Sequence, residues 1–276
     1  MNGYSEFIKR FSLLTYKNKY IVANTLSNIF TMREIGNKTH GDLAEIGIVE
    51  FINQFMYDYK SKHVGKDLYR AKEHEEDIII QNELTKEKFP VSLKAYGDGP
   101  LQLSTDKNSL MFTELRKYGD LISDKTIIKE IFNCAAFKKV ITLNLMPLIY
   151  REKQEQCNIM IYDFAKVVDE TSRITYVDSG NGRKHPIYLF ANEVGDYICE
   201  VRYGGASANA LQRGLWTHTV KASSYFNSAT GGWIDYAPNE MLVRLIMLAL
   251  NSTKEAHYQA NGILQSGIDG LRKNEK

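Results

Sequence analysis

The sequence predicts a mixed α/β (α+β) fold, with a central mixed β-sheet flanked by helices. Two observations carry this. Apolar residues in the first 60 positions recur at helical spacing, through Phe7, Phe11 and Leu14 and again through Val22, Leu26, Ile29 and Phe30. From Asp77 onward the period shortens to that of strands, and Glu240 to Asn251 returns to a helical pattern. Strands bracketed by helices fit a layered sheet-and-helix domain.

In order, the chain reads as follows. Helices fill the first segment up to a break at Asn37 to Asp42, and a further helix runs from about Asp42 to Tyr59. Asp77 to Gln81 and Phe89 to Tyr96 are strands joined by a charged turn, Glu83 to Lys88, and Gly97 to Pro100 stops the second. Residues 105 to 138 are mostly helical. Val140 to Tyr150, Asn158 to Val168, Ile174 to Val177, Ile187 to Ala191 and Tyr197 to Tyr203 are expected strands, with a turn at Ser179 to Gly182. Residues 204 to 236 read as long loops, and Glu240 to Asn251 as the closing helix. The expected division is a catalytic region over 1–138 and a strand- and loop-rich recognition region over 139–276, continuous as one compact unit.

Composition narrows the class. A chain of 276 residues with 43 % hydrophobic and 25 % charged residues can bury a substantial core, which excludes a disordered or fibrous protein. The 35 basic and 33 acidic residues balance too closely to demand an anionic partner, and local patches decide that question. Cys134, Cys157 and Cys199 form no CxxC pair, so a zinc ribbon is excluded, and they are expected as core residues of a protein in a reducing cytoplasm. The N-terminus lacks a signal-peptide core, and the longest apolar stretch, Met241 to Leu250, contains Arg244 and is too short to span a bilayer. A soluble, cytoplasmic protein with no membrane partner is the expectation.

The chemistry concentrates between residues 40 and 104. On a helical wheel Glu45 shares an arc with Ile48, Val49, Ile52 and Met56, so its carboxylate points toward the core. A buried carboxylate is costly unless it is paired or metal-bound. A hairpin centred between Glu83 and Lys88 sets Asp77 opposite Lys94 and Ile79 opposite Ser92. Asp77, Ser92 and Lys94 then converge on one face, and a slip of one residue would undo this. Carboxylates hold Mg²⁺, and a Lys ammonium beside them steadies the charge of a phosphate under attack.

Glu45 on a helix, Asp77 at a strand start, Ser92-Leu-Lys94 on the next strand and Gln102 within Leu101-Gln-Leu-Ser104 together resemble the PD-(D/E)XK nuclease superfamily, and type II restriction endonucleases in particular. The resemblance spans residues 38 to 105. It implies Mg²⁺-dependent hydrolysis of double-stranded DNA at a short specific sequence, leaving 5′-phosphates without a covalent intermediate. It also implies Asp77 and Glu45 as metal ligands and Lys94 as catalytic base or charge stabiliser. A homodimer on a palindromic site is implied too, with a cognate DNA methyltransferase as a genetic rather than physical partner. The sequence departs from the pattern at Ser92, where the family has an acidic residue. Ser92 would then act on the metal through water or at one remove, with Glu45, or failing that Glu76, supplying the missing carboxylate. No Pro precedes Asp77.

The segment from Tyr203 to Lys221 combines flexible glycines with Asn209, Gln212, Arg213, His218 and Lys221. Arg reads guanine and Asn or Gln reads adenine, while Lys binds phosphates, so this is the expected DNA-reading segment. A polar loop packed by Trp216 is the plainer alternative. Arg183 and Lys184 form a smaller basic tip. His40 beside Glu45 fits a helix cap better than an acid–base role, and Lys72 to Asp77, with His74, reads as a solvated lead-in. There is no nucleophile elbow, Walker A or dinucleotide fingerprint. Two further readings stay open: a repair or structure-selective nuclease of the same fold, and a catalytically inactive DNA-binding module.

Overall fold

The computed structural model describes residues 3–35, 40–64, 77–97, 99–106, 108, 110–141, 143–180, 185–203, 213–250 and 254–274. Three helices come first, α1 (Gly3–Lys17), α2 (Lys19–Ile35) and α3 (His40–Phe55). Their apolar stripes meet in one core: Phe7 and Phe11, Val22 and Leu26, Ile48 and Ile52. Gly47 lets α3 approach α2 closely, since a Cβ there would stand 2.0 Å from the Ile29 side chain.

The helices cover one face of a seven-stranded sheet in the order β1 (Tyr59–His63), β2 (Ile78–Asn82), β3 (Lys88–Tyr96), β6 (Leu145–Arg151), β7 (Gln156–Tyr162), β12 (Phe226–Ser228), with β13 (Ile234–Asp235) also on β7. β1, β2 and β3 form an antiparallel meander, and β3 pairs in parallel with β6. A parallel pair requires a crossover. Here it runs through β4 (Pro100–Ser104), α4 (Leu110–Arg116), β5 (Leu121–Ile122), α5 (Lys125–Asn133) and α6 (Ala135–Ile141). Pro90 sits inside β3 without breaking it. Its edge faces β6 before that ladder begins at Ser92, and its carbonyl accepts from the Asn144 side chain instead.

β6 is buried on both faces. Met146 and Leu148 join the helix-side core, while Leu145 and Ile149 join a second core. That second core also contains Leu101 and Leu103 of β4, Phe112, Ile131 and Phe137 of the crossover helices, and the inner face of a six-stranded antiparallel sheet. The order there is β4, β11 (Gly214–His218), β10 (Tyr197–Arg202), β9 (Ile187–Ala191), β8 (Arg173–Val177), β5. The chain ends in α8 (Glu240–Leu250) and α9 (Lys254–Asn274), packed on each other, with α8 touching α2.

Several expected elements are corrected. The helix expected to run to Tyr59 stops at Phe55. Tyr59 begins a strand whose residues alternate inward and outward, a period-two pattern that tyrosine and lysine disguise. Val140 and its neighbour Ile141 end α6, so the strand expected from Val140 begins at Leu145. The strand expected through Val168 ends at Tyr162, because Asp163 caps a helix, α7 (Phe164–Glu170), by accepting from the Lys166 amide. The stretch read as loops over 204–236 contains β11, an interior strand of the second sheet. Gly214 makes it possible: its φ is +95°, and a Cβ would meet the Ser104 carbonyl at 2.0 Å. The supposed closing helix is followed by α9, whose glycines dilute its helical signal. The two sheets do not divide near residue 139: β4 lies before it in the second sheet, and β6 and β7 lie after it in the first.

Candidate active site

The hairpin register differs from the expected one by two residues. Ile78 pairs with Val91 and Ile80 with Phe89, which places Asp77 level with Ser92 rather than Lys94. A slip of two preserves the face of every side chain, so the convergence survives its wrong register. The turn fixes the register locally. The Asn82 side chain accepts from the amides of Leu84 and Thr85, and Lys86 adopts a positive φ of 62°.

Asp77 stands one residue before β2, where the ladder to β3 runs out. Its backbone amide donates to the Val91 carbonyl at 3.1 Å. Beyond that point its side chain takes over the pairing: Oδ2 accepts from the Leu93 amide at 2.7 Å and from the Ser92 hydroxyl at 3.1 Å. The Lys94 ammonium lies 3.8 Å from the same oxygen. Ser92 is 1 % exposed, so it orients Asp77 and does not reach solvent. The side chains of Asp77 and Lys94 remain 19 % and 30 % exposed, open to a ligand.

Glu45 enters from α3. It is buried with the apolar residues of its arc, as the helical wheel requires. Burial raises its carboxyl from the ordinary 4.5 to about 7; the Asp77 charge adds to the rise and Lys94 opposes it. Its Oε2 lies 3.8 Å from Nδ1 of His63, at the end of β1. Sequence reasoning missed His63, because β1 itself was missed. The alternation Tyr59, Ser61, His63 is the signal that could have found it.

The buried Glu45 carboxylate feels the charge of Asp77, and two carboxylates are donors of the kind that suits a hard divalent cation. Mg²⁺ is commonly held by one or two carboxylates and keeps several waters. Among the described residues no cluster of three or more metal-ligating side chains forms, so such an ion would depend on Glu45 and Asp77. Glu76 and His74 lie outside the described residues, as does the His40 side chain.

The expected DNA-reading residues belong to the second sheet where they are described. Gln102 on β4 donates to the Arg213 carbonyl at 2.9 Å. His218 ends β11 opposite Pro100, and Lys221 follows β11, 6.0 Å from the Tyr197 ring. Nε of Arg213 and Nδ1 of His218 are buried without hydrogen-bond partners among the described residues. Arg202 stacks 4.1 Å over Trp216 and pairs with Glu200 at 2.6 Å. Asn209, Gln212, Arg183 and Lys184 lie outside the described residues. Cys157 and Cys199 are buried and Cys134 half-buried; all three are free thiols, and burial pushes Cys157 up to about 12.

Among the described residues no helix is long and apolar enough to cross a membrane. Comparison with known proteins returns no match: no protein-family model fits the sequence, and no curated protein or solved structure is significantly similar to the chain.

Proposed function

We propose that this chain is a Mg²⁺-dependent DNA endonuclease of the PD-(D/E)XK type, a restriction enzyme in its biology. The observation that carries the reading is the convergence on Asp77 of Ser92, the Leu93 amide and Lys94, with the Glu45 carboxylate in electrostatic reach. The frame around them supports it. Glu45 on a helix, Asp77 at the head of one strand and Lys94 on the next, within a mixed sheet flanked by helices, are the elements on which the resemblance rests.

Each side chain has a part in the proposed hydrolysis. Asp77 and Glu45 bind the cation. A bound Mg²⁺ supplies Lewis-acid polarisation of the phosphate and a water of lowered pKa. Ser92 and the Leu93 amide hold one Asp77 oxygen, which fixes the carboxylate plane before substrate arrives. Lys94, tethered beside the same oxygen, steadies the negative charge that builds on the phosphate. The missing acid at Ser92 is compensated by Glu45. Water attacks phosphorus directly, the P–O3′ bond breaks, the departing 3′ oxygen takes up a proton to become a hydroxyl, and the phosphate stays on the 5′ end of the other fragment.

Arg213, His218 and Lys221, with Gln102 supporting the β4–β11 edge, are the proposed DNA-facing group. Cutting both strands of a duplex calls for two such sites, so the proposed working species is a homodimer.

The variants Lys94→Ala and Asp77→Asn test the assignment. Each is expected to lower cleavage by at least about a hundredfold, the scale on which a single electrostatic contact to the transition state acts. DNA binding in EDTA should persist. Undiminished cleavage by both variants would remove the site from this location.

A further inference from the structure

We propose that His63 is a positioning residue of this site, which holds the Glu45 carboxylate in the orientation that takes up a divalent cation. The inference rests on the reading of Glu45 and Asp77 as the metal-binding pair, and extends it to a residue outside the sequence motif.

The fold places His63 there through a clamp between β1 and α3. The Asn53 side chain donates to the Ser61 carbonyl at 3.1 Å and accepts from the Ser61 amide at 2.8 Å, and the Ser61 hydroxyl donates to the Val49 carbonyl at 2.9 Å. Ser61 lies two residues before His63 on the same strand face, and Val49 lies one helical turn beyond Glu45. The clamp therefore fixes the strand that carries the imidazole against the helix that carries the carboxylate. At the other side, the Val64 amide donates to the Asp77 carbonyl at 3.1 Å, which ties the end of β1 to the second carboxylate.

The imidazole faces the Glu45 carboxylate. Nδ1 lies 3.8 Å from Glu45 Oε2, while Nε2 is buried without a hydrogen-bond partner among the described residues. A buried ring nitrogen is not left unpartnered without cause. Here the other nitrogen faces the most strongly desolvated carboxylate of the site. Partners that orient a ligating carboxylate commonly set metal affinity by about 10–100-fold.

Two substitutions separate the ring nitrogens. His63→Asn places an amide nitrogen near the position of Nδ1, and His63→Gln places one near Nε2. The measurement is Mn²⁺ binding to the full chain without DNA, followed by the loss of the free-ion electron paramagnetic resonance signal, beside metal-free melting temperatures. His63→Ala and His63→Gln are expected to weaken Mn²⁺ binding about 10–100-fold, and His63→Asn to recover most of the loss. All three should melt close to the parent without metal. Mn²⁺ binding unchanged in His63→Ala, or recovered by Gln and not by Asn, would overturn the role of Nδ1. If the parent chain binds no Mn²⁺, the metal reading of Glu45 and Asp77 fails, and this inference fails with it.

Discussion

One oxygen of Asp77 accepts from a backbone amide and a buried hydroxyl and stands beside an ammonium, so its position is set by three neighbours at once. Ser92→Ala removes one of them. The expected cost in stability is about 1 kcal/mol, the net worth of one hydrogen bond. The expected cost in cleavage is larger, because a misplaced carboxylate would weaken the proposed metal site. Urea unfolding beside cleavage rates checks the pair; equal losses in both would deny Ser92 a positioning role. Glu45 gives a second test. Its carboxyl, raised from 4.5 to about 7, binds a proton more tightly in the folded than in the unfolded chain. Its contribution to stability is present below about pH 4.5 and is lost as pH rises through about 7. Glu45→Gln is therefore expected to melt above the parent at pH 8.5 in EDTA, by up to about 2–3 kcal/mol of stability, with the difference gone near pH 4. A constant difference across that range would show that Glu45 is not desolvated. At this scale the sequence was informative where residue type and period agree. Glu45 on an apolar arc, and Asp77 with Ser92 and Lys94 on one strand face, could be read directly. His63 could not, because its strand spells Tyr-Lys-Ser-Lys-His and offers no apolar run.

Elements were legible where their period was clean and obscure where a short polar signal outweighed it. β3 follows the alternation that locates it, β2 lies on a short apolar run, and β8, β9 and β10 fall where strands are expected. α7 depends on the single cap Asp163 inside an apolar run. β11 depends on Gly214, whose close approach to the Ser104 carbonyl is a tertiary fact no local pattern contains. The hairpin register likewise depends on how Asn82 and Lys86 shape the turn, which explains a misjudgement by two residues that left the face intact. Gly214→Ala is expected to destabilise the chain by about 2–4 kcal/mol, because the new methyl meets backbone and φ is positive. Denaturant unfolding checks this; a loss under about 0.5 kcal/mol, the ordinary surface value, would mean that β4 and β11 do not pair as described. Since Gln102 lies on β4 and Arg213 immediately precedes β11, the same variant is expected to weaken DNA binding more than metal binding.

The molecule as a whole is built around β6, which sends Met146 and Leu148 into one core and Leu145 and Ile149 into the other. Two cores joined through one buried strand are expected to unfold together. Phe137→Ala in the second core and Phe7→Ala in the first should each cost about 3–5 kcal/mol and lower the same single transition. Separate transitions by circular dichroism and tryptophan fluorescence would contradict this. The coupling matters for function. The Asp77 group lies on the first sheet and the proposed DNA-reading edge on the second, while β3 passes into β4 over residues 97–99. The most direct test of the central claim is incubation of the parent chain with long unmethylated duplex DNA and Mg²⁺, beside an EDTA control, with end-sequencing of the products. The account predicts discrete fragments bearing 5′-phosphates in Mg²⁺ and intact DNA in EDTA. DNA that stays intact in both, bound or unbound, would contradict it and leave the Asp77 cluster a structural device at the end of a hairpin.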